Sequence, residues 1–397
     1  MFDDIKLPSG QGGAKTDTAK IEAPATDNKP AISGELPSKV HASSKGRRFH
    51  IGRLHINRKW LLIGGVSLLV ISAGVTTFML MHKKPKPVAH VTVAPPVPPP
   101  VPTTVAAGLS GLLVTPDQAK RPVRGFMIEN SPDARPQSGL TQAEVVYEAV
   151  AEGGITRFLA LFQVNEPSYI GPVRSARPYY LDFLLPYDAA LAHAGGSPDA
   201  LAAIKTLGVK DLDQFANSDS YQRVSNRYAP HNLYTGMNKI DALLAKKGYT
   251  SSTFTGFARK GEAASATPNA KSIDFNISSF LYNPHWDYDA PTNTYKRGEG
   301  GKPHIDEKSG AQIAPKVVVA VVMNKGLAAD HLHSTYATTG NGQIFVFQDG
   351  MVTAGTWSKA GSKNPFVFGD AAGKPLALNP GQTWVSIVDA TSKVVYK

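Results

Sequence analysis

The chain has 397 residues, 42% of them hydrophobic, with 42 Lys and Arg against 31 Asp and Glu and no cysteine. The absent thiols exclude disulfides, thiolate catalysis, cysteine-ligated zinc, iron–sulfur clusters and lipid attachment through cysteine. Residues 1–86 hold 14 of the basic and 6 of the acidic residues. Most of the net charge of +11 therefore sits there, and the rest of the chain lacks the basic excess with which a folded domain binds nucleic acid.

Residues 1–59, rich in Lys, Ser, Gly, Pro and Ala and without apolar periodicity, are expected to be a disordered basic tail. Residues 60–81, WLLIGGVSLLVISAGVTTFMLM, form one uncharged apolar run. As a helix it is about 33 Å long, enough to cross a hydrocarbon core of about 30 Å. Gly64, Gly65 and Gly74 suit a spanning helix, and Ser67, Ser72, Thr76 and Thr77 can bond back to its carbonyls. Lys45, Arg47, Arg48, Arg53, Arg58 and Lys59 precede the run, whereas only Lys83, Lys84 and Lys86 follow it closely. The positive-inside bias then predicts a single-pass protein with a cytoplasmic N-terminus and an extracytoplasmic C-terminal part. Its expected partners are the bilayer, through residues 60–81, and anionic lipid, beside the basic tail. Residues 82–108 read as a proline-rich linker in extended polyproline II form.

The expected fold class is α+β: the transmembrane helix, a mixed α/β domain over 109–250, a linker or loop over 251–280, and a smaller β-rich domain over 281–397. Within the first domain, residues 121–131 contain a strand closed by the turn Ser131-Pro132-Asp133. Val145–Val150 and Ile155–Val164 make a hairpin across Gly153-Gly154. A short helix over 179–188 stops near Pro186, and residues 189–196 form a buried strand ending in glycines. Ser197 and Pro198 then start a helix that Gly208 ends, and residues 238–247 form another. In the second domain a hairpin is expected from Trp286 to Lys296 and a central strand over 316–324. Two strands flank Asp349-Gly350, and a last strand runs over 383–389. Gly298-Glu299-Gly300-Gly301 reads as a turn.

Four segments could carry chemistry. In EAVAEGGITRF (148–158), Arg157 can take a carboxylate or phosphate in a two-pronged bond, or simply pair with Glu148 or Glu152 inside a tight hairpin. In IGPVRSARPYY (170–180), Arg174 and Arg177 flank Ser175 ahead of a helix start, a combination suited to an anion. The plain alternative pairs both with acids such as Asp182 and Asp188. In HAGGSP (193–198), His193 ends a buried strand before Gly195, Gly196 and Ser197, and in RYAPHNLY (227–234) His231 and Asn232 lie in a polar loop. Either histidine could serve as a general base, but the Gly-x-Ser-x-Gly elbow of a Ser–His hydrolase is absent. His331 with His333 and Asp287 with Asp289 alternate like exposed strand positions, and neither a dense ligand pattern nor a nucleotide loop is present. No metal and no cofactor is expected.

Taken together, MIENSPDARPQSGL (127–140), YEAVAEGGITRFLALF (147–162), GPVRSARPYY (171–180), HAGGSP and APHNLY (229–234) resemble the YerB-like family of bacterial envelope proteins. WDYD, GQIFVFQDGMVTAGTW and NPGQTWVSIVD resemble its second domain. The resemblance implies two linked envelope domains without an assigned reaction. Family members often look like lipoproteins anchored through a cysteine, which this chain lacks, so a spanning helix would replace the lipid. The expected function is binding of an anionic envelope ligand, such as a peptidoglycan carboxylate or a phosphorylated polymer, in an Arg-lined cleft. Arg174 and Arg177 would grip it, Arg157 would orient it, and His193 and His231 would hydrogen-bond it. The alternatives are a cell-wall hydrolase or transferase using His193 or His231, and an interaction module without a small ligand.

Overall fold

Apolar residues in unbroken runs form strands covered on both faces, and two such runs set the centre of this fold. The computed structural model describes residues 103–397 and, from the apolar run, Ala73, Gly74, Thr77, Phe78 and Met81. These five are helical, and the Thr77 hydroxyl donates to the Ala73 carbonyl at 2.7 Å. The tail expected over 1–59, the rest of the run 60–81 and residues 82–102 lie outside the described residues. No helix among the described residues is long and apolar enough to cross a membrane.

The main sheet has ten strands. From one edge their order is Val367–Asp370, Met351–Lys359, Gly340–Gln348, Val317–Val322 and Thr383–Val388, then Val145–Glu152, Ile155–Phe162, Arg124–Glu129, Ala190–His193 and Lys210–Asp213. Strands of both expected domains thus share one sheet. The joint is parallel, with Val145 opposite Thr383 and Glu148 opposite Ser386. Residues 251–280, expected as a loop, contribute the strand Ser272–Phe275 to a second, five-stranded sheet. In that sheet the hairpin Pro284–Asp289/Thr294–Glu299 and the strand Val394–Tyr396 flank or extend it.

Strand alternation sends Leu159 and Leu161 to one face of the main sheet and Phe158, Ala160 and Phe162 to the other. The first face is covered by the helices Pro178–Leu184 and Pro198–Leu207, through residues such as Tyr180, Phe183 and Ile204. The second is covered by the helix Met237–Lys247 and the five-stranded sheet, through Ile240, Ile273 and Trp286. Helix limits follow local chemistry: Ser197 caps the Ala200 N–H, Pro198 opens the first turn and Gly208 closes the last.

Between the two sheets lies a fully buried ion cluster. Arg297 Nη2 donates to Glu148 Oε1 at 2.8 Å, and its Nη1 stands 3.1 Å from Glu299 Oε2. The guanidinium lies over the rings of Trp384 at 4.8 Å, Trp286 at 5.4 Å and Phe158 at 5.5 Å. Trp384 Nε1 and the Ser386 hydroxyl donate to the other Glu148 oxygen. Arg297 also donates to His304 Nδ1, which leaves Nε2–H to bond Gln137 Oε1 at 2.7 Å. Burial, with help from the Arg297 charge, pushes the imidazole down to about 3, so His304 stays neutral. The run read as a turn from its glycines thus places Glu299 inside this cluster, with the turn itself at Gly300 and Gly301.

Replacing Arg297 with Ala leaves Glu148 and Glu299 buried without their guanidinium. The expected loss is about 3–5 kcal/mol, read as a lower urea midpoint. A midpoint equal to that of the wild type would contradict this role for the cluster.

Candidate functional site

Three parallel strands end side by side, at Glu129, His193 and Asp213. Functional groups gather outside such carboxyl ends in open α/β sheets. The loop Ile170–Arg177 is laid across them by main-chain bonds: Arg174 N–H donates to Met127 O, Ala194 N–H to Arg174 O and Ala176 N–H to Gly195 O. Arg157, on the neighbouring strand opposite Glu129, donates to Ser175 O at 2.8 Å. His231 reaches the same place, with Nδ1 3.0 Å from Glu129 Oε1 and 3.2 Å from the Ser131 hydroxyl. The four polar segments therefore converge.

Their arginines do not share one task. Glu152 takes two of them, with Arg157 Nη2 at 2.5 Å on one oxygen and Arg177 Nη2 at 2.7 Å on the other. Burial works against its charge, yet the Arg157 and Arg177 guanidiniums hold the Glu152 carboxyl below the usual range. The diglycine beside it serves close packing: Ser278 donates to Gly154 O, and Gly153 N–H donates to Leu332 O. Both glycines have positive φ, at 55° and 81°. Arg177 and Ser197 border a cavity of about 350 Å³ beneath the hairpin Lys325–Leu327/Ser334–Tyr336.

Arg174 differs. Its single ion pair among the described residues is with Glu129, whose Oε1 lies 3.3 Å from Nε, and none of its three guanidinium nitrogens has a hydrogen-bond partner there. It borders a separate cleft of about 480 Å³ with Ser175, Gly195, Gly196, Phe215 and Arg223. Asn232 stands behind this wall, accepting from Arg223 Nη1 at 2.8 Å and donating to Val224 O. Arg174, Ser175, Gly195 and Gly196 thus meet in one concave surface, His231 and Asn232 support it from behind, and Arg157, Arg177 and Ser197 lie elsewhere.

Neither histidine is arranged as a free base. His193 is fully buried, and its ring nitrogens face two acceptors, Gly195 O at 2.8 Å and Asp211 Oδ1 at 3.0 Å. In a Ser–His–acid relay the acid and the serine occupy opposite ring nitrogens. Here Glu129 and Ser131 share Nδ1 of His231, while Nε2 lies 4.0 Å from Asp133. Sequence reading missed Glu129, Asp213, Phe215 and Arg223. Glu129 was detectable as the acid two residues before Ser131 in a motif already singled out; Phe215 lies in a turn, and Arg223 in the two-residue strand Gln222–Arg223, which is too short to carry a pattern.

The chain belongs to the family described as protein of unknown function DUF3048, whose N-terminal domain matches residues 109–250 and whose C-terminal domain matches residues 273–385. The Bacillus subtilis (strain 168) protein named "Putative lipoprotein YerB" is 30% identical over 288 residues, 71% of this chain and 86% of the relative. The crystal structure of the YerB protein from Bacillus subtilis aligns with a TM-score of 0.67 at 27% identity, covering 74% of this chain and 99% of that one. This is the family to which the motifs pointed.

Changing Glu152 to Gln strips two buried guanidiniums of their counter-charge, and a loss of about 3 kcal/mol is expected at pH 7. The Glu152 carboxyl titrates lower when folded than the roughly 4.3 of an unfolded glutamate. Its contribution is thus full above that value and fades as pH falls through the folded one. Urea unfolding of both forms from pH 7 to pH 3 should show the gap narrowing; a constant gap would contradict it.

Proposed function

We propose that this protein is an extracytoplasmic module of the bacterial cell envelope, tethered by residues 60–81, that binds an anionic envelope ligand in the Arg174 cleft. The observation that carries the reading is the state of Arg174. Its planar fork borders a concave surface with both terminal nitrogens free of hydrogen bonds among the described residues, whereas Glu152 accepts hydrogen bonds from both Arg157 and Arg177. A guanidinium so placed matches a carboxylate or phosphate oxygen pair. Arg223 is the second cation of the wall, Ser175 offers a hydroxyl, and Gly195 and Gly196 let a ligand approach the main chain. In this reading Arg157 and Arg177 shape the loop that carries Arg174, and the histidines hold Glu129 and Asp211 in place.

The tether is supported by the uncharged run and its basic flank. An envelope location is supported by the lipoprotein designation of the Bacillus relative. On intact cells, added protease is expected to degrade the part beyond residue 103; full protection of that part would sink the topology.

Ligand binding is tested by retention on purified cell-wall sacculi. The wild type should be retained and released by rising salt, which screens charge pairs at an exposed cleft. Arg174→Ala should reduce retention at least five-fold, and Arg174→Ala with Arg223→Ala further still. Equal retention of the double variant, with an unchanged melting temperature, would overturn the proposal.

A further inference from the structure

The Arg174 cleft holds more than a simple anion needs. Phe215 is 71% exposed, and its ring edge stands 3.2 Å from where a β-carbon on Gly195 would sit. Gly195 has φ of +63°, so the ring rests beside a strip of bare main chain in a conformation that other residues rarely adopt. Along the same strip, Leu201 Cδ2 lies 3.4 Å from the equivalent point on Gly196 and is also partly exposed. Two apolar side chains therefore flank a polar floor.

The polar groups are of both kinds. Ser175 has a hydroxyl without a partner among the described residues, and Arg223 brings further donors. Asp213 borders the cleft as well: one carboxylate oxygen accepts the Gly195 N–H at 2.8 Å, and the other has no partner among the described residues. A carboxylate in the wall repels a polyanion, but it suits a neutral hydroxyl that donates. An exposed aromatic ring, a free acceptor, free donors, the open fork of Arg174 and an Arg223 already bonded to Asn232 together describe a ligand with an apolar C–H face, a hydroxyl edge and a single acidic group.

Resting on the anion-binding reading above, we infer that the anion is carried on a sugar: the cleft takes an acidic monosaccharide unit of a glycan. The sugar's carboxylate lies on Arg174, a hydroxyl donates to Asp213, and the C–H face of the ring lies on Phe215.

The test is titration calorimetry on the full chain in detergent micelles with matched probes. These are N-acetylmuramate against N-acetylglucosamine, glucuronate against glucose, and D-lactate as an anion without a ring. The acidic sugar of at least one pair should bind at least ten-fold more tightly than its neutral partner and more tightly than lactate. Phe215→Ala should weaken the acidic sugar about ten-fold and leave lactate unchanged; Arg174→Ala should bring the acidic sugar down to the neutral one. Because Phe215 is exposed, its variant should melt with the wild type. Failure of both acidic sugars to exceed their neutral partners overturns the inference, as does an unchanged affinity in Phe215→Ala or lactate binding as tightly as the acidic sugar that binds best. In each case an Arg174-dependent retention on sacculi still stands for the anion reading, and its absence fells that reading separately.

Discussion

A guanidinium removed from water must find its charge answered, and Arg297 finds carboxylates and aromatic faces drawn from distant regions of the chain. Glu148 and Trp384 come from neighbouring strands of the main sheet far apart in sequence, and Glu299 from the small sheet that carries Arg297 itself. The desolvation cost of such a group is several kcal/mol, so the cluster is weak evidence for stability but strong evidence for register. Shifting any of those strands by one residue would turn its contribution to the opposite face. The cluster therefore fixes how the two sheets stack, and with them the line of strand ends on which the cleft is built.

A second electrostatic choice sorts the arginines near the strand ends. Glu152 lies at the bend of its hairpin, within reach of Arg157 and Arg177, and neutralises part of their charge while stitching the loop to the sheet. Glu129 stands nearest to Arg174 at Nε, 3.3 Å away, and makes no hydrogen bond to the end of the fork. Three arginines of similar sequence context thus acquire different duties because two carboxylates stand at different depths: Glu152 is partly exposed and doubly engaged, Glu129 almost sealed.

Much of the fold was legible because its elements announce themselves locally. The strand 317–322 is an uninterrupted apolar run, the helix 198–207 carries its cap, its proline and its closing glycine, and Asp349-Gly350 marks a hairpin. Sheet order was not legible. Nothing near Val145 or Thr383 says that they lie opposite one another, since the apolar pattern of a doubly buried strand is the same whichever neighbour it takes. The arginine and carboxylate motifs of the site were visible as residue types, but which acid meets which base depends on loops crossing in space. Arg297 and Glu299, two apart and so on one face of a strand, did offer a signal, which the surrounding glycines masked.

The parallel joint at the centre of the main sheet has a temporal side. The strand Val145–Glu152 finds one neighbour at once, in the hairpin that follows it, but its other edge waits for Thr383–Val388; Glu148 and Trp384 are 236 positions apart. Ring closure over such a span is slow compared with local pairing. A nascent chain emerging N-terminus first would carry an unfinished half-sheet with a naked apolar flank, the kind of flank that recruits other strands. The strand Thr383–Val388, made long after its partner, is the one that seals the middle, so losing it would injure the centre of the molecule and not its margin.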